Sequence, residues 1–445
     1  MFPAPYNSEK DTSTAALTPA RAAAGFTLPP GFKASVFAAE PDLHNPIALA
    51  WDARGRLWIA ENYTYAEGTL KFDLNLRDRI LVFEDKTGDG HFSSRQVFHE
   101  ALQRLMSIEI GHGGVWAMCP PQLLFIPDRD GDGVPNGEPE VVLDGFTVHA
   151  EKNHTVANGL RFGPDGWLYG RCGGSSPAEI GLPGTPDKER LPLRGSMWRY
   201  HPQRRTVEVL SSGTTNPWGH DWDQHGELFF INTVNGHLWH GITGAHYKRG
   251  TTLEPNPAVY EAIEHHADHW HFDTGGSWQQ SRGGAANSYG GGHAHVGMTI
   301  YQGDNWPAEY RGGLFTLNFH GRRANRENLQ RSGTGYVGKP APDLFTSDDP
   351  WFRGMEISYG PDGGVFVLDW NDTGECHDST GVHRLSGRAY KISYGDSKRP
   401  EVGDIRKLSA RELVSLHSHV NEWFVRQARL ELAARAADGR GNGRS

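Results

Sequence analysis

The sequence predicts an all-β fold, a six-bladed β-propeller followed by a short C-terminal helical segment. Three observations predict it. The chain is dense in turn residues, with 56 Gly and 27 Pro in 445 residues, which favours many short strands over long helices. One pattern, an apolar run, a polar Gly turn and a second apolar-aromatic run, recurs six times. The texture stays uniform from 28 to about 395 and changes only near 400. A β-sandwich with long insertions is the competing architecture.

The six recurrences are 47–61 (IALAWDARGRLWIAE), 115–127 (VWAMCPPQLLFIP), 157–172 (ANGLRFGPDGWLYGRC), 217–232 (PWGHDWDQHGELFFIN), 296–318 and 355–369 (MEISYGPDGGVFVLD). Their turn centres fall near 55, 120, 166, 226, 311 and 363, a spacing that suits four-stranded blades with loops of unequal length. Radial repetition buries both faces of each sheet and protects its edges. Ahead of the propeller, 1–27 is Ala/Thr/Ser/Pro-rich and reads as a leader or mobile arm. The propeller is assigned 28–399. Within 400–437 the Ala/Leu/Arg-rich run has a helical period, and Ser409 with Glu412 is a capping-box signature. Two helices fit, roughly 409–417 and 420–437, as the start of a HEAT-like repeat. The Gly/Arg-rich stretch 438–445 reads as disordered.

Composition excludes several classes. With 44 Lys+Arg against 53 Asp+Glu the net charge is -9, which argues against a general nucleic-acid binder. No run approaches 18 apolar residues, so no transmembrane segment is expected. The first eleven residues lack signal-peptide features. The cysteines, Cys119, Cys172 and Cys376, are odd in number and form no CxxC pair, which argues against a disulfide framework or a Cys-rich zinc site. Cys376 could be a ligand, a redox centre or packing.

Chemistry-bearing residues concentrate unevenly. The turns 85–90 (DKTGDG) and 128–133 (DRDGDG) resemble the first half of a calcium loop, although neither has Glu at the twelfth position. Asp128, Asp130 and Asp132 are the candidate calcium ligands, and a plain Asp-Gly hairpin is the alternative. Twelve of the 23 histidines lie between His220 and His320, with the densest run at 265–273 (HHADHWHFD) followed by 290–295 (GGGHAH). His265, His266, Asp268, His269, His293 and His295 are therefore candidate ligands of a divalent metal. They suit proton transfer equally, or backbone hydrogen bonding around a channel. His154, in 151–159 (EKNHTVANG), precedes the third recurrence and is a candidate general base. Asn158, Asn216, His220, His320, Arg322, Arg323, Arg353 and Asp372 fall on comparable segments before or after strands. Aromatic platforms beside such polar clamps suit a sugar or polyol.

The segments 28–41 (LPPGFKASVFAAEP), 158–170 (NGLRFGPDGWLYG), 216–223 (NPWGHDWD), 290–312, 349–378 and 386–392 (SGRAYKI) resemble the membrane-bound dehydrogenase domain family common in planctomycetes and verrucomicrobia. That resemblance implies an exported, periplasmic or secreted setting. It also implies relatives that continue into HEAT-like repeats and a haem domain. CxxCH is absent here, so no haem is expected in this chain. More distantly, the chain is similar to soluble quinoprotein glucose dehydrogenase. There a His before a GPDG strand takes a proton while hydride passes to pyrroloquinoline quinone held with calcium. His154 before 163–166 matches that His, and Asn216-Pro217 matches an Asn-Pro. Thr215 stands where that family has Arg, and 232–237 departs from its calcium turn.

The resulting expectation is an oxidoreductase that oxidises a sugar or related alcohol in the central channel. His154 and Asp372 would act at the reacting atoms. Arg322, Arg323 and Arg353 would clamp anionic groups, while Asn158, Asn216, His220 and His320 would contact the cofactor. His293 and His295 would polarise substrate or bind metal. Electrons would pass to a cytochrome c-type acceptor. Two other classes stay open: a metal-assisted carbohydrate lyase or hydrolase, and a non-catalytic propeller that binds glycans or proteins.

Overall fold

Six antiparallel sheets succeed one another along the chain and close into a ring, as a computed structural model describes for residues 2–11, 13–68, 70–148, 153–234, 236–248, 259–276, 280, 283–374, 380–396 and 403–437. The innermost strands are Pro46–Trp51, Ser107–Gly111, Asn158–Phe162, Pro217–Trp222, His295–Ile300 and Gly354–Tyr359, one per blade, each beside the next and the last beside the first. Blades 1, 2 and 3 have four strands, and blade 4 has three. The N-terminal strand Phe32–Ala38 completes blade 6 by pairing with Arg388–Tyr394. That pairing joins the two ends of the propeller, so the ring cannot open without breaking the outermost ladder of blade 6.

The sequence builds each blade alike. The second strand of every blade carries an aromatic residue at the same register: Trp58, Trp116, Tyr169, Phe229, Phe315 and Phe366. These rings pack between neighbouring sheets, where large apolar area leaves water. In five blades the innermost ladder shifts register near its start, at Pro46/Ala48, Asn158/Arg161, Pro217/Gly219, Val296/Met298 and Gly354/Glu356. Such bulges bend the strand where it nears the axis. Gly297 sits at one of them with φ +62, and a Cβ there would come within 2.9 Å of the Glu356 Cα and the Met355 carbonyl. Gly297→Ala is therefore expected to destabilise the protein by about 1–3 kcal/mol, read as a lower urea midpoint; an unchanged midpoint would mean the two inner strands can move apart.

Blade 2 differs from the sequence reading. The segment 115–127 is not its inner hairpin. It forms the second and third strands, Gly114–Cys119 and Gln122–Pro127, with the inner strand Ser107–Gly111 ahead of them. That inner strand (SIEIG) carries Glu109 and is joined to the second strand by the short turn His112-Gly113.

The N-terminal segment, expected to be a mobile arm, is docked. Ser8 and Lys10 donate backbone hydrogen bonds to Val382 and Thr380. Pro19–Ala24 is a helix, and Phe26–Thr27 adds a fifth strand to blade 5. Both predicted C-terminal helices form, at Ala410–Ser415 and Glu422–Ala437, and the Ser409–Glu412 capping box is present. They do not stand beyond the propeller as a separate repeat. Trp423, Phe424 and Ala428 join its core, and the longer helix lies across the ends of the inner strands. Glu422 N–H donates to the Gln302 carbonyl, Gln427 to that of Trp51, and Asn421 to those of Gly360 and Pro361. Arg426 reaches to Asp221 Oδ1 at 2.9 Å. The helix thus covers the lower end of the channel, the end where the inner strands turn into the second strands. The proposed propeller boundary near 399, Cys376 and the stretch 438–445 lie outside the described residues.

Candidate functional site

The upper face is where the inner strands begin, and one device fixes its loops in three blades. The last residue of the second strand accepts a hydrogen bond from a backbone N–H just ahead of the inner strand. The pairs are Glu61 with His44, Asn232 with Asn216, and Asp369 with Arg353. Ladder-bound carboxylates and amides thereby hold the upper loops in register.

At the junction of blades 3 and 4 this places several sequence-predicted residues together. The His154 carbonyl accepts from Asn216 Nδ2 and Trp218 Nε1, both at 3.1 Å. Asn158 pairs across the sheet with Arg171, and Gly173, in the next loop, lies against Asn216. Around this junction Asn158 Oδ1, Asn216 Oδ1, Thr215 Oγ1, Arg171 Nε and both ring nitrogens of His220 are buried without a hydrogen-bond partner among the described residues. Burial, with Arg171 and Arg161 near, holds the His220 ring well below its ordinary value, so it is neutral. Burial also lowers Arg171, to about 10. Deeper in the channel Arg161 lies 3.3 Å from Asp221, and Glu109 and Glu356 interact electrostatically with Arg161. Sequence reasoning missed this set, although its charges interrupt otherwise apolar inner strands.

The histidines form a second group, between blades 4 and 5. His269 Nε2 and His237 Nε2 lie 3.1 and 3.2 Å from Glu327 Oε1, and His271 Nε2 lies 3.6 Å from it. His269 and His271 are 3.2 Å apart through Nε2. Burial would raise Glu327, but hydrogen bonds from His237 and His269 outweigh it and hold the carboxyl at about 2. His295 hydrogen-bonds His271 Nδ1 at 3.1 Å, and Asp268 Oδ1 lies 3.2 Å from His269 Nδ1.

Of the candidate ligands, then, only His269 is at the centre, with Asp268 and His295 behind it. His265 stacks on Trp270 and His266 meets His240. His293 pairs with His320 at 3.4 Å. His237, His271 and Glu327 were not among the candidates. The spacing of two from His269 to His271 was the available signal, since alternate residues of an extended segment share a side. Glu327 lies in the strand Arg323–Ser332 and carries no local mark.

Several of the remaining candidates are engaged by protein groups. Arg353 donates to the carbonyls of Pro350, Phe352, Thr373 and Gly374. Arg323 is held by Asp343 and Asn287. Asp372 accepts from the N–H groups of Gly374 and His383. Arg322 has no ion pair among the described residues. The loop carboxylates of Asp128, Asp130 and Asp132 do converge, at the lower face, but Arg56 takes the carbonyls of Gly131 and Asp132 beside them. In the turn 85–90, Asp85 accepts from Gly88 and Gly90, a self-contained hairpin.

Of the three arginines expected to clamp an anionic quinone, Arg323 and Arg353 are engaged by protein groups and Arg322 is not, among the described residues. Thr215 replaces the family's Arg.

Comparison with known proteins agrees on the fold. A family profile described as Domain of unknown function (DUF7133) matches residues 18–380. No curated protein sequence matches the chain. Among solved structures, an oxidoreductase (glucose dehydrogenase) from Thermus thermophilus is similar at 18% identity and TM-score 0.53, covering 81% of this chain and 100% of that one. The soluble aldose sugar dehydrogenase of Escherichia coli, in its apo-form, is similar at 15% identity and TM-score 0.50, covering 82% and 99%. A PQQ-bound aldose sugar dehydrogenase from Streptomyces coelicolor is similar at 16% identity and TM-score 0.49, covering 82% and 100%. At these identities the likeness to the Thermus thermophilus and Escherichia coli proteins is one of fold.

Proposed function

We propose a function for a chain that belongs to the DUF7133 family of domains of unknown function: oxidation of a sugar or related alcohol at the upper mouth of the propeller channel. The observation that supports this reading is the set of buried polar atoms without partners where blades 3 and 4 meet. Leaving such atoms unpaired costs roughly 1–3 kcal/mol each. A polyol can answer them together, because each hydroxyl both donates and accepts. Asn158 Oδ1, Asn216 Oδ1 and Thr215 Oγ1 would take hydroxyl protons, and Arg171 would donate to a sugar oxygen.

In such an oxidation one proton leaves the hydroxyl oxygen and one hydride leaves the carbon. His154 would take the proton, its backbone pinned by Asn216 and Trp218. The hydride would pass to an added two-electron oxidant of the quinone class, and its two electrons then to an acceptor outside this chain, such as a cytochrome in an exported compartment. Arg323 and Arg353 are committed to protein groups, which leaves Arg322 to hold an anionic group of such an oxidant. A second reading, metal-assisted lyase or hydrolase chemistry, is favoured by the histidine group around Glu327.

The test is dye reduction by the purified protein across a panel of aldoses, polyols and uronic acids, with and without added quinone and calcium, alongside calorimetric titration of the same compounds. Turnover with one class, with saturable binding lost in Asn216→Ala, supports the reading. Binding without turnover under every condition would leave a glycan-binding propeller, and neither binding nor turnover would end it.

A further inference from the structure

We propose that His237, His269, His271 and Glu327 hold a divalent first-row transition-metal ion above the junction of blades 4 and 5. The inference goes beyond the sugar reading and does not rest on it.

Geometry carries the first part of the argument. Four potential ligand atoms from three separate parts of the chain lie within 4.8 Å of one another. Ligands at about 2.0–2.1 Å from a tetrahedral ion sit roughly 3.4 Å apart. Four of the six separations, 3.1, 3.2, 3.2 and 3.6 Å, bracket that value, and the other two stay within 4.8 Å. The positions are set by the fold. His266 N–H bonds to the Leu238 carbonyl of blade 4. The backbone N–H groups of Gly338 and Asp268 tie the same segment to blade 5. His269 and His271 are thereby laid between His237 of one blade and Glu327 of the next.

Unsatisfied groups carry the second part. Glu327 has no exposed side-chain surface, and its Oε2 has no hydrogen-bond partner among the described residues. A buried carboxylate oxygen in that state lacks a cation. Three imidazoles crowd the other oxygen, with His237 stacked on His271 at 4.3 Å between ring centres.

The outer contacts carry the third part. A metal-binding imidazole commonly donates its second nitrogen to a carboxylate or other acceptor, which turns the free lone pair toward the ion. Asp268 stands behind His269 in that way, and Lys339 in turn holds Asp268. His295 stands behind His271, and its own Nδ1 is buried without a partner. A set of three nitrogens and one oxygen selects zinc, iron, manganese, nickel or copper over calcium and magnesium, which take oxygen.

The test is titration of chelator-treated protein with Co2+, read by the visible absorption of the bound ion, then displacement by Zn2+. No substrate is added, so the result is independent of turnover. One equivalent is expected to bind, unchanged in Asp130→Asn of the lower acidic loop. His271→Ala is expected to abolish the band at stoichiometric Co2+, and Asp268→Ala to weaken binding roughly 10–100-fold. Absence of a band, a band untouched by both variants, or equal displacement by Ca2+ would overturn the proposal. Should His271→Ala not fold, Asp268→Ala, at the surface, decides alone.

Discussion

Arg426→Leu is expected to cost about 3 kcal/mol of stability, the lower end of what breaking a buried ion pair costs. Asp221 has no exposed side-chain surface and holds Arg426 at 2.9 Å and Arg161 at 3.3 Å. Its other oxygen accepts from Ile300 N–H. Removing Arg426 leaves a carboxylate in the channel with one cation in place of two, and it also uncovers the face of Tyr359. The remaining Arg161 is why the loss stays near the lower end. Urea denaturation gives the magnitude. A double variant with Asp221→Asn separates charge from packing, because the pair's interaction appears as non-additivity. If the double variant loses as much as the sum of the singles, the ion pair adds nothing, and the apolar face with the hydrogen bonds from Asn421, Glu422 and Gln427 holds the helix. The outcome matters for access as well as stability. The same helix lies over the lower channel, so a protein with the helix detached would admit solutes from both ends.

How much of this was legible depends on how local each signal is. The aromatic of every second strand and the Gly turns beside it are short-range, and they revealed five of six inner hairpins. Blade 2 escaped because its Pro120-Pro121 turn, which joins the second and third strands, looks like an inner turn, so the reading moved one strand along. The capping box at Ser409 was readable for the same reason, three residues carrying a whole helix start. The histidine centre was only half readable. His269 and its dense neighbourhood pointed to the region, but His265 and His266 turn away, and the ligands that complete it come from a blade 4 loop and a blade 5 strand. Ring closure brings 237, 271 and 327 together, and no window of sequence contains that distance. The arginine clamps failed differently. Arg323 and Arg353 have the expected charge in the expected place, yet nearby carbonyls, Asp343 and Asn287 already use their donors. Sequence shows which groups could bind a ligand, and packing decides which are left over to do so.

The leftover groups direct the remaining experiment. His154→Ala is expected to lower turnover roughly 10²–10⁴-fold, the usual contribution of a positioned general base, while leaving sugar affinity nearly unchanged. The argument is positional. Asn216 and Trp218 hold the His154 carbonyl, so truncating the ring leaves its backbone anchors in place. Asn158, Thr215, Asn216 and Arg171 remain to bind hydroxyls. Asn216→Ala offers the contrast, since it removes a binding group and one anchor of His154, raising KM and lowering kcat together. If His154→Ala instead weakens binding and spares kcat, the ring is a sugar contact. The proton would then have to go to another group at the mouth, and the histidine centre around Glu327 is the nearest alternative in chemistry.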